Sequence, residues 1–192
     1  DGGDGHFDPG DRILFYASGP QGWKLNADGT LFNHVKNVYS DSADYFIGIG
    51  VDAPKRIAAA ILSDAPATDE ITVFNDRQFI ETDVVSPISS GRNMFGEVFD
   101  QVTSYNYNFS LPFLHSGDPV SLKVNVLGRS IGGNSSFTVQ SGGASGTIAI
   151  PPVGTSSDSD YGKYVSGLFS MAASGSNFPV SVSFTKYDPI TY

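Results

Sequence analysis

The sequence predicts an all-β protein, an antiparallel β-sandwich of jelly-roll-like character. Three observations carry this. Short runs of β-branched and aromatic residues recur along the chain. Glycine (22) and proline (11) fall between the runs without any period, as turn punctuation does. Among 20 acidic residues 17 are Asp and 3 are Glu, a bias toward turns and away from helical faces.

Candidate strands cover residues 12–17, 30–35, 45–50, 56–62, 71–79, 105–111, 120–127, 135–140, 146–150 and 180–187. Each is an alternating, β-branched or aromatic run bounded by Gly, Pro, Asn or Asp. The clearest is 120–127, where Val120, Leu122, Val124 and Val126 alternate with Ser121, Lys123 and Asn125. That period of two is the pattern of a strand with one buried face. Val180, Val182 and Phe184 repeat it near the C-terminus. Helical signal is sparse: residues 88–97 could hold one turn against two glycines, and 161–171 reads as a short helix or another strand. Pro151-Pro152 and the polar stretch 154–162 read as a loop within a single domain over residues 1–192. A boundary between two smaller domains would fall there, near 151–162.

Composition narrows the function. With 192 residues a substantial core can form without staples. The net charge of −9 and the lack of any Lys/Arg cluster argue against a nucleic-acid partner. No apolar run approaches the ~20 residues of a spanning helix, which argues against membrane insertion. The absence of cysteine excludes disulfides, thiolate metal sites and a thiol nucleophile together. The chain opens on Asp1-Gly2-Gly3-Asp4 rather than Met, as a mature segment or a fragment of a larger protein would.

Asp1, Asp4, Asp8 and Asp11 fall three and four residues apart among Gly2, Gly3, Gly5 and Gly10. Calcium takes six to eight oxygens from a tightly curled backbone, so these four are candidate calcium ligands. The same residues also read as a solvated turn, since Asp-Gly and Asp-Pro-Gly form turns without metal. His6, His34 and His115 share no metal-ligand spacing, no Ser stands in a nucleophile-elbow pattern, and no phosphate loop is present. The chain is therefore expected not to be an enzyme by itself. Trp23 with Tyr39, Tyr45, Tyr105 and Tyr107 could stack on sugar rings, as in a carbohydrate-binding sandwich, or could simply fill the core and its edges.

Several stretches resemble one family in order. They are Asp4-Gly5-His6-Phe7-Asp8-Pro9-Gly10-Asp11-Arg12-Ile13, then Leu14-Phe15-Tyr16-Ala17-Ser18-Gly19-Pro20 and Trp23, then Tyr39-Ser40-Asp41, Tyr45-Phe46-Ile47 and Lys55-Arg56-Ile57. Ser90-Gly91-Arg92-Asn93-Met94-Phe95-Gly96-Glu97 resembles a Ser-Gly-Arg-x-Trp-Phe-Gly-Glu element, with Met94 in place of its Trp. Together they resemble the β domain that precedes the catalytic region in gingipain-like cysteine peptidases, in particular the sortases of type IX secretion. The resemblance covers roughly the first 110 residues. It implies an accessory, non-catalytic domain of a secreted peptidase whose Cys–His pair lies in a separate downstream region. The parent would process C-terminal sorting signals of cargo at the outer membrane or cell surface of Bacteroidetes. Implied partners are that peptidase domain, cargo sorting domains and secretion-system subunits. Trp23, Arg92, Phe95 and Glu97 are the candidate interaction residues.

Overall fold

The structure, a computed structural model, describes residues 6, 8–48, 66, 68–89, 91, 93–115, 117–173 and 175–187. It is all-β: no helix occurs among the described residues, and every strand pair is antiparallel. The chain divides into two compact units, Asp1–Asn75 and Asp76–Tyr192.

In the first unit β1 (Gly22–Leu25) and β2 (Phe32–Val35) form a hairpin, with Trp23 opposite His34. The Asn26 side chain builds its loop: Oδ1 accepts from the N–H groups of Thr30 and Leu31, both at 2.9 Å, and Gly29 supplies a φ of +75°. This is the local capping that makes Asn and Gly the favoured residues of such loops. Asp28 Oδ1 accepts from the Thr30 hydroxyl and N–H, and these bonds hold its carboxyl below the usual carboxylate value. β1 is a strand the sequence reading misses, because four residues are too few to show a period.

Residues 12–17 and 71–79, expected as strands, form none, and neither do 45–48. Propensity supplies only half of a strand; the other half is a neighbouring ladder. Ile13, Leu14, Phe15 and Tyr16 are instead exposed, and Tyr45 bonds through its hydroxyl to the Ser18 carbonyl at 2.6 Å. Residues 49–50 and 56–62 lie outside the described residues.

The second unit is a sandwich of six strands: β3 (Ser104–Ser110), β4 (Pro119–Gly128), β5 (Ser135–Ser141), β6 (Ala144–Ile150), β7 (Lys163–Ala172) and β8 (Asn177–Thr185). One sheet has the order β3-β8-β5-β6 and the other is β4-β7. β5 and β6 form a hairpin across Gly142 (φ +57°) and Gly143, while the other connections pass from one sheet to the other. Residues 151–162 connect β6 to β7 inside this unit. Residues 163–172 are a strand and not a helix, with Val165, Phe169 and Met171 turned inward and Ser166 and Leu168 outward.

Between the sheets Leu122 and Val126 of β4 and Met171 of β7 meet Phe137, Val139, Ile148, Ile150, Phe178, Val180 and Val182. Every one of these falls on the inward half of its strand's period-two pattern. Two glycines let β6 and β7 approach closely. A Cβ on Gly146 would run into the Phe169 ring, and one on Gly167 would lie 2.7 Å from Ile148. On the outward face of the larger sheet the register aligns Ser104, Ser183, Thr138 and Thr147 in one row.

Candidate functional site

The acidic opening is described in part, since Asp1 and Asp4 lie outside the described residues. Asp8 to Asp11 form a tight turn. Pro9 fixes the second position, Gly10 takes the third with a φ of +116°, and the Asp11 N–H donates to the Asp8 carbonyl at 3.0 Å. The Asp11 carboxylate reaches back to accept from the Asp8 N–H at 2.8 Å. Among the described residues no cluster of three or more His, Asp or Glu is arranged to hold a metal. A turn of this kind forms without metal, and the Asp11 carboxylate is engaged within it. On that account a thermal melt with and without chelator gives one midpoint, and a midpoint lowered by chelator would identify a calcium loop.

Trp23 is half-buried in the hairpin, edge-on to His34 with ring centroids 5.3 Å apart. His115 Nδ1 lies 3.3 Å from Asp118 Oδ2 in an exposed turn, where solvent screening leaves the contact little energy. Tyr39 is exposed.

The best-built constellation surrounds Phe95 and Glu97. Phe95 is joined to Val85 by an isolated bridge: its N–H donates to the Val85 carbonyl at 2.8 Å, and its own carbonyl accepts from Val84 and Val85 at 2.8 and 2.9 Å. Two residues facing one make a β-bulge, a device that turns the chain and re-aims its side chains. The loop between turns at Ser86–Ser89, where Ser89 has a φ of +53°, and Arg92 within it lies outside the described residues. No helical turn forms there among the described residues. Gly96 passes so near Thr82 that a Cβ would stand 2.8 Å from its hydroxyl. The Phe95 ring reaches Tyr164 of β7 at 6.3 Å.

Each of the next residues is fastened to the larger sheet. Glu97 Oε2 accepts from the Tyr107 hydroxyl at 2.8 Å, and the Val98 carbonyl accepts from Tyr105 at 3.0 Å. The Phe99 ring packs edge-on to Tyr105 (4.8 Å) and Phe137 (5.1 Å), and Asp100 pairs with Lys186 at 3.0 Å. Residues 95–100 thus form a strap over the inner face of β3, the strand left at the edge of its sheet. Chemically this is a fastening: the carboxylate accepts a hydrogen bond and the aromatic rings close the core. Tyr105 and Tyr107 are therefore half-buried structural residues whose hydroxyls are engaged inside the unit, which removes those two from a sugar platform.

Burial, reinforced by the bond to Glu97, raises the Tyr107 phenol above its ordinary value of 10.0. The folded value exceeds the unfolded one, so this stabilisation is complete below about pH 10 and fades as pH climbs through the raised value. Tyr107→Phe should cost about 0.5–1.5 kcal/mol at neutral pH, toward the lower end because Glu97 stays hydrated. It should also flatten the alkaline decline. Urea midpoints at neutral and strongly alkaline pH read both effects, and an unchanged alkaline decline would contradict the assignment.

The fold is similar to that of a segment of PorU. The crystal structure of dimeric latent PorU from Porphyromonas gingivalis matches with a TM-score of 0.51 and 18% identity, over 89% of this chain and 17% of the PorU chain. This chain therefore spans about a sixth of the PorU chain. No family model and no curated protein sequence matches it. At this identity PorU establishes the likeness of fold, and the bulged Phe95–Glu97 element shows what that stretch of sequence does within it. The fold brings Phe95 and Glu97 together; Trp23 belongs to the other compact unit. Sequence reading misses Tyr105 and Tyr107 as clamps. Their period-two spacing shows a shared face, but their acceptors lie seven and ten residues upstream, and only the folded chain brings those near.

Proposed function

We propose that this chain is a non-catalytic accessory domain of a larger exported gingipain-like cysteine peptidase, of the kind that acts as the type IX secretion sortase. The observation that carries the reading is the likeness of fold to a PorU segment, with this chain spanning 17% of that protein's length. Two features of the sequence support it. The stretches resembling the family occur in order, and the chain has no cysteine to serve as the nucleophile of a cysteine peptidase. The peptidase chemistry would then reside in a downstream region of the same polypeptide, acting on C-terminal sorting signals of cargo at the cell surface. The role of this domain would be to pack on that region, orient cargo or dock secretion-system subunits. The Phe95–Glu97 strap fits a supporting role, because its polar groups are spent on holding the sandwich together. The coding sequence beyond Tyr192 tests the reading. A following region with a Cys–His peptidase pair is expected, and a stop codon directly after Tyr192 would remove the proposal.

A further inference from the structure

We propose that the aromatic cluster around Phe15 and Tyr45 is a docking surface for an extended polypeptide segment that carries arginine or lysine beside apolar residues. Two stretches of the first unit are pinned together there. The Phe15 and Tyr45 ring centroids lie 6.0 Å apart, and the Tyr45 hydroxyl donates to the Ser18 carbonyl at 2.6 Å. Both rings stay about half exposed, and the next residue of each stretch stands almost wholly in solvent: Tyr16 is 89% exposed and Phe46 97%. Leu14 and Ile47 beside them in sequence are exposed as well. Clustered apolar groups of this size at a surface mark an interaction site, and large aromatic side chains are the residues that anchor protein interfaces.

The charges beside the rings set the chemistry of the occupant. Asp44 immediately precedes Tyr45, and Asp41 stands three residues earlier with its side chain 84% exposed. The loop that presents Asp41 is knit locally. Asn37 Oδ1 accepts from the Tyr39 N–H at 2.9 Å, and the Ser40 hydroxyl donates to the Ser42 carbonyl at 2.8 Å. Of the two bases in these stretches, Lys36 lies 3.9 Å from Asp41 with its side chain only 14% exposed, and Arg12 precedes Phe15 by three positions. Accessible carboxylates next to aromatic faces attract a cation in two ways, through Coulomb attraction and through the ring quadrupole. Arginine and lysine also lay their methylene stems along apolar surface, so one such side chain can cover a ring while its charge faces a carboxylate. The net charge of −9 draws in a basic segment and repels both a second copy of this chain and an anionic membrane. The inference rests on the first unit alone and does not depend on a peptidase region elsewhere in the polypeptide.

The test uses the intact chain and three short fluorescent peptides, built of alternating arginine and leucine, arginine and serine, or glutamate and leucine. Fluorescence anisotropy should show saturable binding of the first that weakens as salt rises, and binding of the other two about tenfold weaker or less. Tyr16→Ser and Phe46→Ser should each lower affinity for the arginine–leucine peptide about tenfold, since each removes an exposed ring. Asp44→Asn should lower it about threefold and reduce the salt dependence. Leu168→Ser, at an exposed apolar position of the second unit, should bind as the parent does. Thermal midpoints close to the parent's show that the variants are folded. No binding of the arginine–leucine peptide, equal binding of either comparison peptide, or full affinity in both ring variants would overturn the inference. Self-association of the peptide-free chain, or its capture by phosphatidylserine vesicles, would also overturn it where Phe46→Ser abolishes the effect, because a second copy or a lipid surface would then be the occupant.

Discussion

Phe178→Ala should destabilise the second unit by about 3–5 kcal/mol. Phe178 is 1% exposed and lies on the inward face of β8, one of the two interior strands of the four-stranded sheet. Truncation removes the transfer energy of the ring and leaves a cavity. Phe178 is held in the ladder opposite Phe109 of β3, and β5 pairs with β8 from Ser181 onward, so that cavity cannot close by a simple shift. A domain of ordinary stability has about 5–15 kcal/mol in total, and the loss is therefore a large fraction of it. A urea titration should show a much lower midpoint with little change in slope. A loss below about 1 kcal/mol would mean that the site is looser than its burial indicates.

The second large effect is expected from Gly146→Val. β6 passes under the Phe169 ring so closely that even one Cβ would overlap it, and valine adds two further methyl groups. The ring must leave its place opposite Leu122 or the strands must part, at a cost of about 1–3 kcal/mol for overpacking. The instructive comparison is the double variant with Phe169→Ala. Removing the ring should restore part of the loss, because the two changes share one space. Simple additivity of the two losses would show that the steric contact is not the cause.

These strands also show how far the sequence could be read. β4 is legible because Val120 to Val126 alternate without interruption, and the observed strand extends that run by one residue at each end. β7 is ambiguous for a physical reason: Gly167 leaves a gap on its inward face, while Tyr164 and Leu168 place apolar groups on its outward face. The period of two is blurred until the partner strand is known, and Ile148 fills the gap. Residues 12–17 promise a strand that does not form. Their β-branched and aromatic content states a preference, and preference alone does not make a ladder.

The site is less legible than the fold. Phe95 and Glu97 stand out through the resemblance of residues 90–97, and no local pattern announces their partners. The β-bulge depends on Val84 and Val85 meeting one carbonyl, and the Glu97 bond depends on the chain reversing between residues 97 and 107. Such contacts are properties of the closed fold and leave no trace in spacing.

The role proposed for this domain, without peptidase activity of its own and serving a catalytic region elsewhere in its polypeptide, has a direct test. Purified chain incubated with a cargo protein bearing a C-terminal sorting domain tests it most directly. The account predicts intact substrate after prolonged incubation. Robust cleavage, proportional to the amount of chain added and insensitive to thiol-blocking reagents, would contradict it.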